Sequence, residues 1–329
     1  MPLELELRLW TRGLLLLSQI GLAAVSRPPH VFLVRGANER IEVPCGHSFR
    51  VLRWNRCLRE VDCVIAPGRT TRIKGVGDHW HFHTEMELTA FTSGEGTRCV
   101  GDHVGQFAAG DLVLLGEKLP HYWHTRGGAS GVSVQWHFPK SHPFWAFPET
   151  VGLADLFNEA GRGLHLSGAT ATAVTKLLLE LPNDTPLAQL ARLMIMLAKT
   201  AGAPAEDRCF LSSRPFALTA ESHYQQAISK AVRHLVANFR DEVRLGDLLA
   251  LTDLSRPTFA RQFKKHSGRS FSEFLNRLRL DAACRELEAS DRSVIDIALA
   301  SGFSQISFFN RLFRRELKCS PSEYRAGYV

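Results

Sequence analysis

Apolar and polar positions follow three regimes along the chain. From about Ile41 to Pro139, short apolar runs are broken by glycine. Val132, Val134, Trp136 and Phe138 alternate there with Ser133, Gln135 and His137, the period of two expected of a strand with one buried face. From about Ser141 to Ser222 the spacing turns helical, as in Ala173 to Leu181 and Leu187 to Ala198, with a loop through Gly202, Pro204 and Ser212-Ser213. From His223 onward everything reads as helix, opening with Ile228, Val232, Leu235, Val236 and Phe239 on one face. No tandem repeat runs through the chain. The pattern predicts a multidomain α+β protein: a strand domain over 41–140, a helical segment over 141–222, and an all-α domain over 223–329.

Residues 1–40 form a leader closed by Arg27-Pro28-Pro29. Its apolar run, Gly13 to Val25, is too short to span a bilayer, which takes ~20 apolar residues. The run has the length of a secretory core, but Glu4 and Glu6 stand beside Arg8 and Arg12, and Ser18-Gln19 interrupt it. An amphipathic leader or a misplaced start is the simpler expectation.

Composition sharpens this picture in two places. The 329 residues carry 40 Lys and Arg against 33 Asp and Glu, a net charge of +7. Residues 223–329 hold 18 basic and 12 acidic side chains, so nearly all of the excess belongs to the last third and points to a polyanionic partner there. The seven cysteines (Cys45, Cys57, Cys63, Cys99, Cys209, Cys284, Cys319) form no CxxC pair, which suits a reducing compartment, the cytoplasm, with no membrane partner.

The basic third contains one architecture twice. A short apolar helix beginning at Leu245 breaks at Asp253, and Ser255 caps a second helix in which Pro257 sits in the tolerant first turn. Phe259 and Phe263 face inward there. A longer helix follows, opened by the capping box Ser270 and Glu273. Val294 to Ala300 then forms another short helix ended by Gly302, and Gln305 to Leu317 a helix with Ile306, Phe309, Leu312 and Phe313 at core spacing. A capping box, Ser320 and Glu323, opens the last helix.

Ile297-Ala298, Gly302-Phe303, Phe309, Arg311, Phe313 and Ser320-Pro321-Ser322-Glu323-Tyr324-Arg325 resemble the AraC/XylS family of transcription regulators, over about 100 residues. Leu249, Asp253 and Cys319 depart from it, standing where the family has a small alanine, a turn glycine and the glycine before Ser-Pro. The resemblance implies two helix-turn-helix units whose second helices enter successive major grooves. It carries base reading to Pro257, Ala260 and Arg261 in the first unit and to Ile306, Ser307, Asn310 and Arg311 in the second. Arg256, Thr258, Lys264, Lys265 and Arg314 complete the DNA-contacting set, the lysines and Arg314 as phosphate contacts. Arginine can grip guanine O6 and N7 with two bonds, whereas Pro257 and Ala260 offer only apolar contact, so the second unit is expected to read more sequence. The implied partners are double-stranded DNA, a small-molecule effector, RNA polymerase and a second copy of the chain.

Eight of the fourteen histidines lie between His79 and His142. Gly75-x5-His81-x-His83-x3-Glu87-x6-Gly94 matches the first cupin motif at every spacing. Gly110-x5-Gly116-x4-His121 matches the second in its glycine and histidine, departing at Gly116, Lys118 and Thr125. This resemblance makes the strand domain a small barrel with His81, His83, Glu87 and His121 at four metal-ligand positions. A straight strand would hold His81 and Glu87 about 20 Å apart, at ~3.3 Å per residue, so the chain must reverse near Thr84-Glu85 for one ion to reach both. Three readings are compatible with the set: a divalent metal ion, a metal-free pocket for a small molecule such as a sugar, or a plain barrel with satisfied polar residues. Trp80, Trp123 and Trp136 would supply the apolar faces of an effector pocket around these residues, or ordinary core. The reading adopted is an effector-controlled, non-enzymatic regulator. Its rival is a metal-dependent cupin isomerase or oxygenase with an appended DNA-binding domain.

Overall fold

The computed structural model describes residues 42–44, 47–216, 218 and 224–327. The leader, including Gly13 to Val25, therefore lies outside the described residues. Among the described residues, nine antiparallel strands form one sheet: β1 (Phe49–Trp54), β2 (Glu60–Ala66), β3 (Arg69–Lys74), β4 (Met86–Val100), β5 (His103–Phe107), β6 (Leu112–Leu115), β7 (His121–Trp136), β8 (Leu164–Leu166) and β9 (Arg208–Phe210). Their order is β3-β2-β1-β7-β4-β6-β8-β9, with β5 paired to β4. The long strands β4 and β7 run side by side, Met86 opposite Trp136 at one end and Val100 opposite His121 at the other. Their register slips between Phe91 and Glu95, where Gly94 takes a φ of +87° with the backbone of Gly128 and Ala129 against its Cα, leaving no room for a side chain. Such bulges bend a strand and increase its twist.

Both faces of the sheet are buried along its central strands. Val132, Val134 and Trp136 of β7 pack with Met86, Leu88, Leu112 and Leu114 beneath the helices α1 (Leu153–Ala160), α2 (Gly168–Glu180) and α3 (Pro186–Ala201). Ser133 and Gln135, which the alternation suggested would face water, are only 3% exposed and turn into a cavity on the other face. The predicted helical segment 141–222 also contributes β8 and β9 to the sheet. Its α3 splits two ways: Leu193 and Leu197 are buried, whereas Leu187 is 77% and Ile195 48% exposed.

Among the described residues, seven further helices follow: α4 (Gln225–Asn238), α5 (Leu245–Thr252), α6 (Arg256–Ser267), α7 (Phe271–Ala289), α8 (Val294–Ala300), α9 (Ile306–Leu317) and α10 (Pro321–Arg325). Both capping boxes form, Ser270 with Glu273 and Ser320 with Glu323. Asp253 takes a φ of +54°, the left-handed turn for which the family uses glycine; aspartate is among the few side chains that tolerate it. Leu249 fits because it lies partly buried at the margin of the core rather than between close-packed helices.

Helix α7 lies along β5 and ties the two parts together. Arg269 Nε donates to the Asp102 carbonyl (2.7 Å), Arg277 Nε donates to the Val104 carbonyl (3.3 Å), and Gln106 bonds both Asp281 and Arg285. Burial pushes the Asp281 carboxyl up to about 6, against the opposing pull of Arg277, the Gln106 hydrogen bond, Arg126 and Arg98. An acid whose folded pKa is raised is destabilising when ionised, so this cost is absent below pH ~4 and complete above about 6. Asp281→Asn should therefore raise stability at pH 7.5 by about 2 kcal/mol, allowing ~1.4 kcal/mol per pKa unit and some screening. The gain should fade between pH 6 and 4, as read by denaturant unfolding of both proteins across that range.

Candidate functional sites

The cavity on the inner sheet face measures about 40 Å³ and is divided in character. Its apolar lining includes Leu52, Trp54, Leu58, Val61, Phe91 and Trp123, and its polar lining His81, His121, Glu87, Thr89, Ser133 and Gln135. The reversal required by the sequence occurs: the chain bends at Thr84 and Glu85, β4 starts at Met86, and His81 pairs with His121 through reciprocal backbone hydrogen bonds of 3.1 and 2.9 Å. One ring nitrogen from each of His81, His83 and His121 then lies within 4.8 Å of the other two.

The three rings are held alike. Nδ1 of His81 meets the His79 carbonyl at 2.8 Å, Nδ1 of His83 the Glu85 carbonyl at 2.9 Å, and Nδ1 of His121 the Leu119 carbonyl at 2.8 Å. A carbonyl only accepts, so each Nδ1 carries a hydrogen, and a neutral ring then presents its Nε2 lone pair, the tautomer of a metal-ligating histidine steadied from behind. His121 Nε2 is buried without a hydrogen-bond partner, and burial lowers its ring pKa to about 4, keeping it neutral. His83 Nε2 faces Glu87 Oε2 at 3.2 Å. A lone pair against a carboxylate oxygen is repulsive unless a proton or a cation lies between them.

Glu87 stands beside the histidine cluster rather than within it. It accepts from Gln135 Nε2 (2.6 Å) and from Thr89, and Arg50 Nε donates to Gln135 Oε1 (2.5 Å). Burial works against its ionisation, but a hydrogen bond from His83 and, where the rings are protonated, the charges of His121 and His83 prevail and hold the carboxyl well below the usual range. Gln135, Ser133 and Thr89 were missed in sequence because a short polar residue at alternate strand positions reads as solvent-facing. Of the three tryptophans, only Trp123 lines the cavity. Trp136 points outward against Phe157, their rings 6.1 Å apart, because it shares the face of Val132 and Val134. Trp80, next to His81, points the opposite way and meets Phe274 of α7 edge-on at 6.4 Å.

The second surface lies on α6 and α9. On α6, Arg256, Pro257, Ala260, Arg261, Lys264 and Lys265 are exposed, Thr258 is half-buried with its hydroxyl accepting from Ser255 Oγ at 3.0 Å, and Phe259 and Phe263 face the core. On α9, Ser307, Arg311 and Arg314 are exposed and Asn310 is half-buried. Phe309, Leu312 and Phe313 are buried, and Ile306 packs partly against them. The Arg311 guanidinium lies 5.8 Å from the Phe308 ring centre, a cation–π contact. Two short helix–turn–helix pairs on either side of α7, each presenting basic and small polar side chains outward, define a sequence-reading DNA-binding protein.

Comparison with known proteins agrees. Residues 248–327 match the helix-turn-helix domain family. The transcriptional activator RhaS of Salmonella heidelberg is 26% identical over 258 residues, covering 75% of this chain and 87% of that one. The regulatory protein PocR of Salmonella typhimurium is 36% identical over 102 residues, 31% of this chain, which spans about a third (34%) of that relative. The DNA-binding domain of the transcriptional factor AdpA, solved with a target DNA, is 34% identical and covers 31% of this chain and 89% of that one, at a TM-score of 0.28. These likenesses bear out the resemblance of the helical third to AraC-family regulators, and the chain is a DNA-binding transcription regulator. Among the described residues, no helix is long and apolar enough to cross a membrane.

Proposed function

We propose that this regulator is an activator whose sheet domain senses a divalent cation, or a small polar effector held through one, by means of His81, His83 and His121. The observation that carries the reading is the set of three buried rings, each with Nδ1 on a backbone carbonyl and one ring nitrogen within 4.8 Å of the other two. Three imidazoles suit zinc, iron, nickel or copper, and Glu87 behind His83 supplies compensating negative charge. A bound cation would offer an open coordination position to an effector donor atom. A water needs roughly 10–15 Å³ of such space, so the cavity takes an ion with a few waters, and a sugar-sized effector requires the wall to move.

The family resemblance supports Arg261, Asn310 and Arg311 as base readers, with Lys264, Lys265 and Arg314 on phosphates. The exposed apolar stripe of Leu187, Leu190 and Ile195 on α3 supports self-association, and the activator relative supports RNA polymerase as a partner. Reading chromosomal DNA supports a cytoplasmic location. Regulation rather than turnover is assigned because the relatives are regulators.

Isothermal titration of metal-free protein with zinc, nickel and manganese tests the reading, alongside operator binding with and without the ion. Wild type should bind one ion per chain and change its operator affinity when loaded. His121→Ala should lose at least tenfold in ion affinity, the lower end of what losing a ligand or its support costs. No ion binding by wild type, or equal binding by the variant, removes the cation. An ion that binds without altering operator affinity removes its sensing role.

A further inference from the structure

The two DNA-reading units differ in what completes their cores. The second rests on its own helices: Leu280, Ala283, Leu287, Ile297, Ala298, Phe303, Phe309, Leu312 and Phe313 cluster with no residue of the sheet domain. The first does not. Trp80, Cys99, Val104 and Tyr122 of the sheet domain are buried in one cluster with Ile228, Val232 and Leu235 of α4, Phe259 and Phe263 of α6, and Phe274 and Leu278 of α7. Trp80 is 1% exposed, and Phe274 stands edge-on to both Trp80 and Phe263, the latter at 5.6 Å. The turn after α6 is pressed on the same surface: a Cβ at Gly268 would lie 2.6 Å from that of Asp102, so only glycine fits there.

We propose that Trp80 is a positioning residue for the first DNA-reading unit. Through Phe274 and Phe263 it fixes α6 against the sheet domain, while α9 is set by its own core and α7 alone. Trp80 acts on a helix whose DNA-contacting side chains, Arg256 and Arg261, are exposed, so it shapes DNA reading without occupying the DNA face. It also precedes His81, whose backbone pairs with His121, so the strap that holds one cavity ligand holds this anchor too. The proposal rests on the DNA-reading function and stands whether or not the cavity takes a cation.

The test uses the full chain and DNA selected by the wild-type protein from a random pool, with hydroxyl-radical footprints titrated over the two contacted blocks. Trp80→Ala should raise the concentration needed to protect the block read by α6 about tenfold, the equivalent of ~1.4 kcal/mol. Protection by α9 should stay near the wild-type midpoint. Trp80→Phe, which keeps an aromatic edge, should restore most of the loss. Phe274→Leu should reproduce the block-selective defect and add little to Trp80→Ala, since contacting residues couple. Should Trp80→Ala fail to fold, Trp80→Leu carries the same comparison. Equal weakening of both blocks, an unchanged footprint, or full additivity of the two substitutions would overturn the proposal.

Discussion

Replacing Phe309 by alanine should melt the second helix-turn-helix unit while the first keeps its structure. Phe309 has no exposed surface, and its ring lies 5.0 Å from that of Phe303 and 5.5 Å from that of Phe313, which in turn meets Tyr324 edge-on at 5.6 Å. Truncating a buried phenylalanine costs ~3–5 kcal/mol, from lost transfer energy plus the cavity left behind. That loss falls on a core of nine buried residues, against fifteen in the cluster behind the first unit. Whole domains are stable by only ~5–15 kcal/mol, so a unit this small has little margin, and its local opening becomes the dominant fluctuation. Hydrogen exchange on the full-length variant should show α8, α9 and α10 losing protection while α4 and α6 retain theirs. Uniform loss across all of these helices would mean that α7 couples the two units into one cooperative structure.

The same contrast explains what could be read from the sequence. The helical third was legible because each signal there is local: the 3.6-residue apolar spacing of α4 and α9, the capping boxes at Ser270 and Ser320, and the left-handed turn at Asp253 in the family's glycine position. The histidine cluster was legible conditionally, since its spacing demanded the bend that the chain makes at Thr84 and Glu85. What escaped was non-local. Alternation along β7 separates Ser133 and Gln135 from Val134 and Trp136, but does not reveal that both faces are covered. Trp80, Trp123 and Trp136 look alike in sequence, yet one faces the cavity, one the α1 layer and one the DNA-binding helices. Strands β8 and β9 are three residues each, too short for any period to show.

Arg311→Ala should cost the preferred operator about 1–3 kcal/mol, or ~5- to 150-fold, and relax the choice of base at one position. Arg311 is exposed on α9 one turn after Ser307, with its guanidinium near the Phe308 ring but, among the described residues, no ion pair holding it; its neighbour Arg315, by contrast, is spent on Glu316 at 2.8 Å. A stacked guanidinium keeps its fork of donors available for the two acceptors of guanine, which a lysine cannot match. Arg311→Lys should therefore hold charge and salt dependence while failing to restore base preference. Lys264→Ala should do the reverse: weaken binding to every sequence alike and reduce the salt slope by about one. Selection from a random pool at fixed ionic strength, followed by a salt titration on the winning site, separates the two behaviours. If Arg311→Ala selects the wild-type motif and only flattens the salt slope, the side chain sits on a phosphate and the reading passes to Asn310 and Ser307. If the preference is lost at one position and the slope holds, α9 reads that base through Arg311.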